Sequence, residues 1–191
     1  MLLGACEKRE AIEWLQPPPS TETTPLQKYW QVPDFALTER SGKTLTRADL
    51  AGKVWVADFI YTTCPGPCPM LSTRLSDVQK ATASEPDVRL VSISVDPEKD
   101  TPEVLKSYAE RFKAGDHWFF LTGKKGDVQQ LALDGFKLPF MPGEPGAEPI
   151  IHTTRLVLVD RAGIVRGFYE GASEKGIEEL TQDIRRLLAE K

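Results

Sequence analysis

Residues 54–61, VWVADFIY, are apolar at every position but Asp58. A run that short, rich in β-branched and aromatic side chains, predicts a strand covered on both faces. Beyond it Leu71, Leu75, Val78 and Ala81 recur at helical spacing, which predicts a helix with one apolar face. VRLVSISV, residues 88–95, alternates and stops at Asp96-Pro97, and so reads as a second strand. Strand, helix, strand in that order is a parallel unit with a right-handed crossover.

The flanks extend this unit. DFALTERSGKTLTRADLAGK, residues 34–53, reads as two short strands around a Ser41-Gly42 turn, then a brief helical segment ending at Gly52. TPEVLKSYAERF predicts a helix with Thr101 as N-cap and Pro102 in its first turn. HWFFLTG is a short strand, and KGDVQQLALDGF, residues 125–136, a third helix. After a Pro/Gly-rich loop at 139–149, TTRLVLVD and IVRGFYEG make a hairpin around Arg161-Ala162-Gly163. KGIEELTQDIRRLLAEK closes the chain, with Ile177, Leu180, Ile184 and Leu187 on one face. The expected fold is α/β and thioredoxin-like, with an N-terminal β-hairpin extension and a central helix-strand insertion.

The first 30 residues lack this patterning. QPPPSTETTP, residues 16–25, reads as an extended surface spacer. MLLGAC resembles the tail of a bacterial lipoprotein signal, in which small residues precede the cysteine that receives lipid, here Cys6. The expected organisation is a leader and Pro-rich tether at 1–30 and one folded domain at 31–191. No other stretch reaches the length of a membrane-spanning helix.

An apolar content of 40% and a charged content of 27% are ordinary for a globular domain. The formal charge of −4, without a basic stripe, argues against nucleic acid as a partner. Three cysteines are too few for a disulfide-rich scaffold.

Cys64 and Cys68 stand in YTTCPGPCPM, where the first strand gives way to the first helix. Pro69 suits a first helical turn, which would put Cys68 at the helix N-terminus, where the partial positive charge favours thiolate. Pro65 and Pro67 stiffen the intervening loop and Gly66 permits its bend. Three intervening residues leave the sulfurs more freedom than the two of thioredoxin-type oxidoreductases. A structural disulfide, a redox pair and a soft-metal site are all compatible with that spacing.

Only two histidines are available as a third ligand. His117 precedes a strand far from the cysteines and reads as a surface or edge residue. His152 precedes the first strand of the C-terminal hairpin, a junction that borders the cysteine loop in a thioredoxin layout. Two sulfurs and an imidazole form a soft set of three. Structural zinc takes four protein ligands, no fourth Cys or His is left, and an iron–sulfur cluster would lack thiolates. Copper fits: Cu(I) accepts trigonal coordination, and Cu(II) can add an oxygen donor.

With these stretches together, and VPDFALTERSG, LVSISVDPEKDTPEVLKSYAERF and IIHTTRLVLVDRAGIVRGFYEG beside the cysteine motif, residues 31–191 resemble the Sco/SenC family. These are copper proteins needed to assemble the binuclear CuA centre of cytochrome c oxidase. The resemblance carries the family's copper ligands to Cys64, Cys68 and His152. It implies attachment at a membrane facing an oxidising compartment, the bacterial periplasm or outer face of the cytoplasmic membrane, with Cys6 as lipid anchor. It also implies a copper donor protein and an acceptor, cytochrome c oxidase subunit II or another copper acceptor. In this chain Ile151 stands where relatives commonly carry an acid, and Lys99 where they commonly carry Arg. Asp96 and Asp100 match a family segment and are expected to support the loop and cap the helix, or to face a partner.

The alternative from an enzymatic class is a thiol–disulfide reductase acting on the cysteines of the CuA subunit, with Cys64 and Cys68 as its redox pair. Peroxidases of this fold share the DFxL opening but need a Thr where Tyr61 stands.

Overall fold

A computed structural model describes residues 25–138 and 153–190. Cys6, His152 and the loop at 139–149 lie outside the described residues.

The N-terminal hairpin pairs β1 (Ala36–Glu39) with β2 (Thr44–Thr46), and a single 3-10 turn, Arg47–Leu50, follows. Thr46 and Asp49 cap that turn reciprocally, each side chain taking the other's backbone N–H. Gly42 and Gly52 adopt φ of 81° and 77°, the left-handed conformation that glycine reaches without strain.

β3 (Val54–Ile60) runs into α1 (Pro67–Ala81) and returns as β4 (Val88–Ser94), parallel to β3. α2 (Pro102–Arg111) and β5 (Trp118–Thr122) supply the inserted helix and strand, and Thr101 accepts from the Val104 N–H as the α2 cap. α3 (Lys125–Gln130) leads to the hairpin of β6 (Arg155–Val159) and β7 (Val165–Glu170), and α4 (Glu174–Ala189) ends the domain. The sheet order is β2-β1-β5-β4-β3-β6-β7. A parallel β3–β4–β5 set with an antiparallel β6–β7 hairpin on its far side makes a thioredoxin-like α/β fold.

Every residue of β3 is buried. Trp55 and Phe59 meet Phe136 edge to face, at 6.1 and 5.2 Å between ring centroids. Asp58 points to the opposite face of the sheet, because successive strand side chains alternate. There α1 and α4 pack together, and the Tyr108 and Ser72 hydroxyls link α2 to α1 at 3.0 Å. The expected helix at 125–136 is α for one half only. From Leu131 to Gly135 it widens to a π turn, which sets Phe136 inward on Trp55 and Phe59.

Residues ahead of 31 already pack on the domain. The Arg166 guanidinium, buried among Asp160 and Glu190, donates to the Leu26 and Gln27 carbonyls at 2.8 and 3.1 Å. Tyr29, Trp30 and Phe168 form an aromatic cluster beside it. Among the described residues, no helix is long and apolar enough to cross a membrane.

Candidate metal and thiol centre

The cysteines sit at the C-terminal end of β3. The chain leaves the sheet at Tyr61 and turns, the Cys64 N–H donating to the Tyr61 carbonyl at 3.2 Å. α1 then starts at Pro67, with Gly66 as an N-cap that offers no side chain, so Pro69 lies in the first turn and Cys68 at the helix N-terminus, as the sequence leads one to expect. Cys64 and Cys68 are 7% and 5% exposed and carry free thiols.

The helix end acts on Cys64 rather than on Cys68, contrary to the sequence expectation. Prolines at the first and third helical positions have no N–H, so the Cys68 amide between them is the one donor there. Burial raises the Cys64 pKa, but N–H donation from Cys68 and Gly66 and bonds from the Tyr61 and Cys68 side chains outweigh it, and the net shift is downward. Cys68 is pushed up: burial dominates, the Tyr61 amide opposes it, and the Cys64 sulfur and the Asp58 carboxylate add to the rise. One sulfur is therefore disposed to ionise first while its neighbour holds its proton.

Two carboxylates lie behind the pair. Asp58 is buried, accepts from Ser92 Oγ at 2.6 Å, and has an Oδ2 without a hydrogen-bond partner. Ser92 in turn accepts from Trp118 Nε1 at 2.9 Å. Desolvation raises the Asp58 pKa to about 7, although the Ser92 bond opposes it. Asp100 is also wholly buried and accepts from Thr62 and Ser94, while Asp96 pairs with Lys99 at 3.0 Å. Of the roles expected for these acids, Asp100 takes loop support, since Thr101 caps α2.

His117 is exposed, and its carbonyl accepts from Leu90 near the start of β4, the end of the sheet opposite the cysteines. β6 is antiparallel to β3 in the register Trp55↔Val159 and Ala57↔Val157, so its first residues lie at the cysteine end. Thr154 is held there. A Cβ built on Gly171 would stand 2.6 Å from Leu71 Cδ2 in α1 and 2.8 Å from the Thr154 carbonyl oxygen. Gly171 thus lies between the Thr154 carbonyl and Leu71 of the cysteine helix. Among the described residues, no cluster of three His, Cys, Asp or Glu side chains is placed to hold a metal ion.

The sequence pattern of the SCO1/SenC family matches residues 23–189. The chain belongs to the SCO1/SenC family. Three solved structures of that family are close to this one. A SCO1/SenC family lipoprotein of Bacillus anthracis is 36% identical, with a TM-score of 0.77 over 83% of this chain and 95% of that one. BsSco, described as a Sco protein of cytochrome c oxidase assembly with a disulfide switch, is 33% identical, with a TM-score of 0.76 over 87% and 98% of the two chains. ScoI of Bradyrhizobium japonicum, determined with copper bound, is 29% identical, with a TM-score of 0.70 over 83% and 99%.

Sequence reasoning missed Tyr61 and Asp58 as neighbours of the thiols. Asp58 had a signal, as the one charged residue in an otherwise apolar strand. Tyr61 had none beyond adjacency.

Proposed function

We propose that this Sco protein takes up copper through Cys64, Cys68 and His152 and delivers it to the CuA centre of cytochrome c oxidase, on subunit II. The observation that carries the reading is the buried free-thiol pair at the end of β3, the end of the sheet at which antiparallel β6 begins. The antiparallel register of β6 on β3 brings the segment that follows His152 to the cysteine end of the sheet, which supports His152 as the third ligand. The copper-bound ScoI structure of Bradyrhizobium japonicum supports the choice of ion, and BsSco supports the assembly role.

Copper is cargo here. It displaces one proton from each thiol, so uptake releases protons and weakens as pH falls. Cys64, whose sulfur ionises more readily, captures the ion first, and Cys68 gives up its proton in closing the site. A set of three ligands leaves a position open for an incoming ligand of the acceptor, and transfer proceeds by ligand exchange. A copper donor protein fills the site at the other end of the cycle. Lipid on Cys6 holds the domain in the bacterial periplasm or at the outer face of the cytoplasmic membrane, with residues 16–25 as spacer. The lipoprotein of Bacillus anthracis supports that placement.

The second reading, thiol–disulfide reduction of the CuA subunit's cysteines, draws on the asymmetry of the pair. A readily ionised Cys64 beside a proton-holding Cys68 suits attack on a disulfide followed by resolution.

His152→Ala separates the two. Copper carriage predicts a large loss of Cu(II) affinity with a smaller loss for Cu(I), and dithiol exchange predicts neither. Equal Cu(II) affinity in the variant removes His152 from the site. Rapid reduction of a disulfide partner by metal-free protein, together with poor copper affinity, makes exchange the function.

A further inference from the structure

Asp100 is a carboxylate with no exposed surface. A buried charge of this kind is costly unless hydrogen bonds satisfy it. Its bonds run in an informative direction. Oδ2 accepts from the Thr62 N–H at 3.1 Å and from Ser94 Oγ at 2.6 Å, and Oδ1 accepts from Thr62 Oγ1 at 2.5 Å. Ser94 ends β4, the strand beside β3, so that bond anchors Asp100 to the sheet. Both bonds to Thr62 go to the loop that carries Cys64 two residues later. Asp100 is itself fixed, its N–H donating to the Asp96 carbonyl at 2.9 Å and the next residue capping α2. The loop between Thr62 and Cys64 bears an exposed Thr63, and Pro65 and Gly66 beyond it are exposed as well. Thr62 is where that loop is gripped from behind.

We propose that Asp100 is a positioning residue for Cys64: through its two bonds to Thr62 it holds the β3–α1 loop so that the Cys64 sulfur stays beside that of Cys68. The inference deepens the copper reading and rests on it for the metal, but it also applies to the metal-free dithiol. Asp100 acts on the loop through its two bonds to Thr62.

The test compares Thr62→Val with Ser94→Ala in the full chain. The first removes one bond from the cysteine loop and keeps the side chain's shape. The second removes the bond to the sheet and leaves both loop bonds. Two quantities are read on each. One is the Cu(II) dissociation rate into a chelator. The other is the equilibrium of the Cys64–Cys68 dithiol with glutathione, in which each disulfide formed reduces one oxidised glutathione to two thiols.

Thr62→Val is expected to speed Cu(II) release about tenfold, the scale of one hydrogen bond to a charged group. It should also lower the disulfide-forming equilibrium constant about tenfold, about 30 mV for this two-electron couple. Ser94→Ala is expected to lower the urea midpoint while leaving both readouts within about twofold of wild type. Wild-type values for Thr62→Val in both readouts overturn the proposal. So does a Ser94→Ala effect as large as that of Thr62→Val, which would mark a stability effect only. If the wild-type protein holds no copper, the copper reading fails, and the glutathione equilibrium still decides the clamp.

Discussion

Replacing Asp58 with asparagine removes a buried acid while keeping its shape. In the folded chain desolvation raises this carboxyl to about 7, against an ordinary value of 3.8 that the unfolded chain retains. Between those pH values the folded state binds a proton that the unfolded state has released. Stability therefore falls as pH rises from about 4 to about 7 and levels off above. The interval of about three pH units, at about 1.36 kcal/mol each, makes the total about 4 kcal/mol. Of the groups facing Asp58, Ser92 and Trp118 do not ionise, and burial raises both Cys68 and Tyr108, so neither releases a proton in this window. In Asp58→Asn the amide oxygen can still accept from Ser92, and the amide nitrogen occupies the site of the unpartnered Oδ2. The variant should match wild type near pH 4 and exceed it by up to about 4 kcal/mol above pH 7. Urea unfolding of the reduced, metal-free proteins at intervals from pH 4 to pH 8.5 gives the difference, in which all other carboxylates cancel. A difference that does not change with pH, or a variant less stable than wild type at pH 8, refutes the reasoning.

Two further experiments, a substitution and a labelling, test the site's frame. Gly171→Ala places a methyl within 3 Å of Leu71 and of the Thr154 carbonyl, and should cost about 1–3 kcal/mol in urea unfolding. It should also weaken Cu(II) binding by pushing the segment after His152 off α1; unchanged affinity would uncouple that segment from the site. Iodoacetamide at neutral pH should modify Cys64 at least about tenfold faster than Cys68, as peptide mass spectrometry would read, because only Cys64 has a lowered pKa. Equal rates would contradict the asymmetry.

What the sequence disclosed was local. The run at 54–61 identified β3 because a strand covered on both faces has little choice of residue, and the Ser41-Gly42 turn identified the hairpin because φ of 81° demands glycine. The cysteine motif was legible as chemistry but misread in detail. Pro69 does lie in the first helical turn, but the pair of prolines leaves the Cys68 amide as the donor there, and it serves Cys64 rather than the Cys68 sulfur. The grip of Asp100 on Thr62 spans 38 residues of sequence and follows no period, so no pattern could announce it. It exists because parallel β3 and β4 deliver their following loops to the same edge of the sheet.

The same topology bears on the third ligand. Had β6 run parallel to β3, the residues ahead of it would begin at the opposite end of the sheet, beside His117. The antiparallel register reverses this. Carried back from Ala57↔Val157 one residue at a time, it runs through Phe59 and Arg155 toward the turn that holds Cys64. Strand direction thus brings the segment ahead of β6 to the thiol end of the sheet, and the segment ahead of β5, which is parallel to β4, to the opposite end. His117 and His152 stand in the same sequence context, each just ahead of a strand, and differ in the sense in which that strand is laid into the sheet. That difference, rather than proximity in the chain, makes His152 the imidazole to substitute when copper binding is measured.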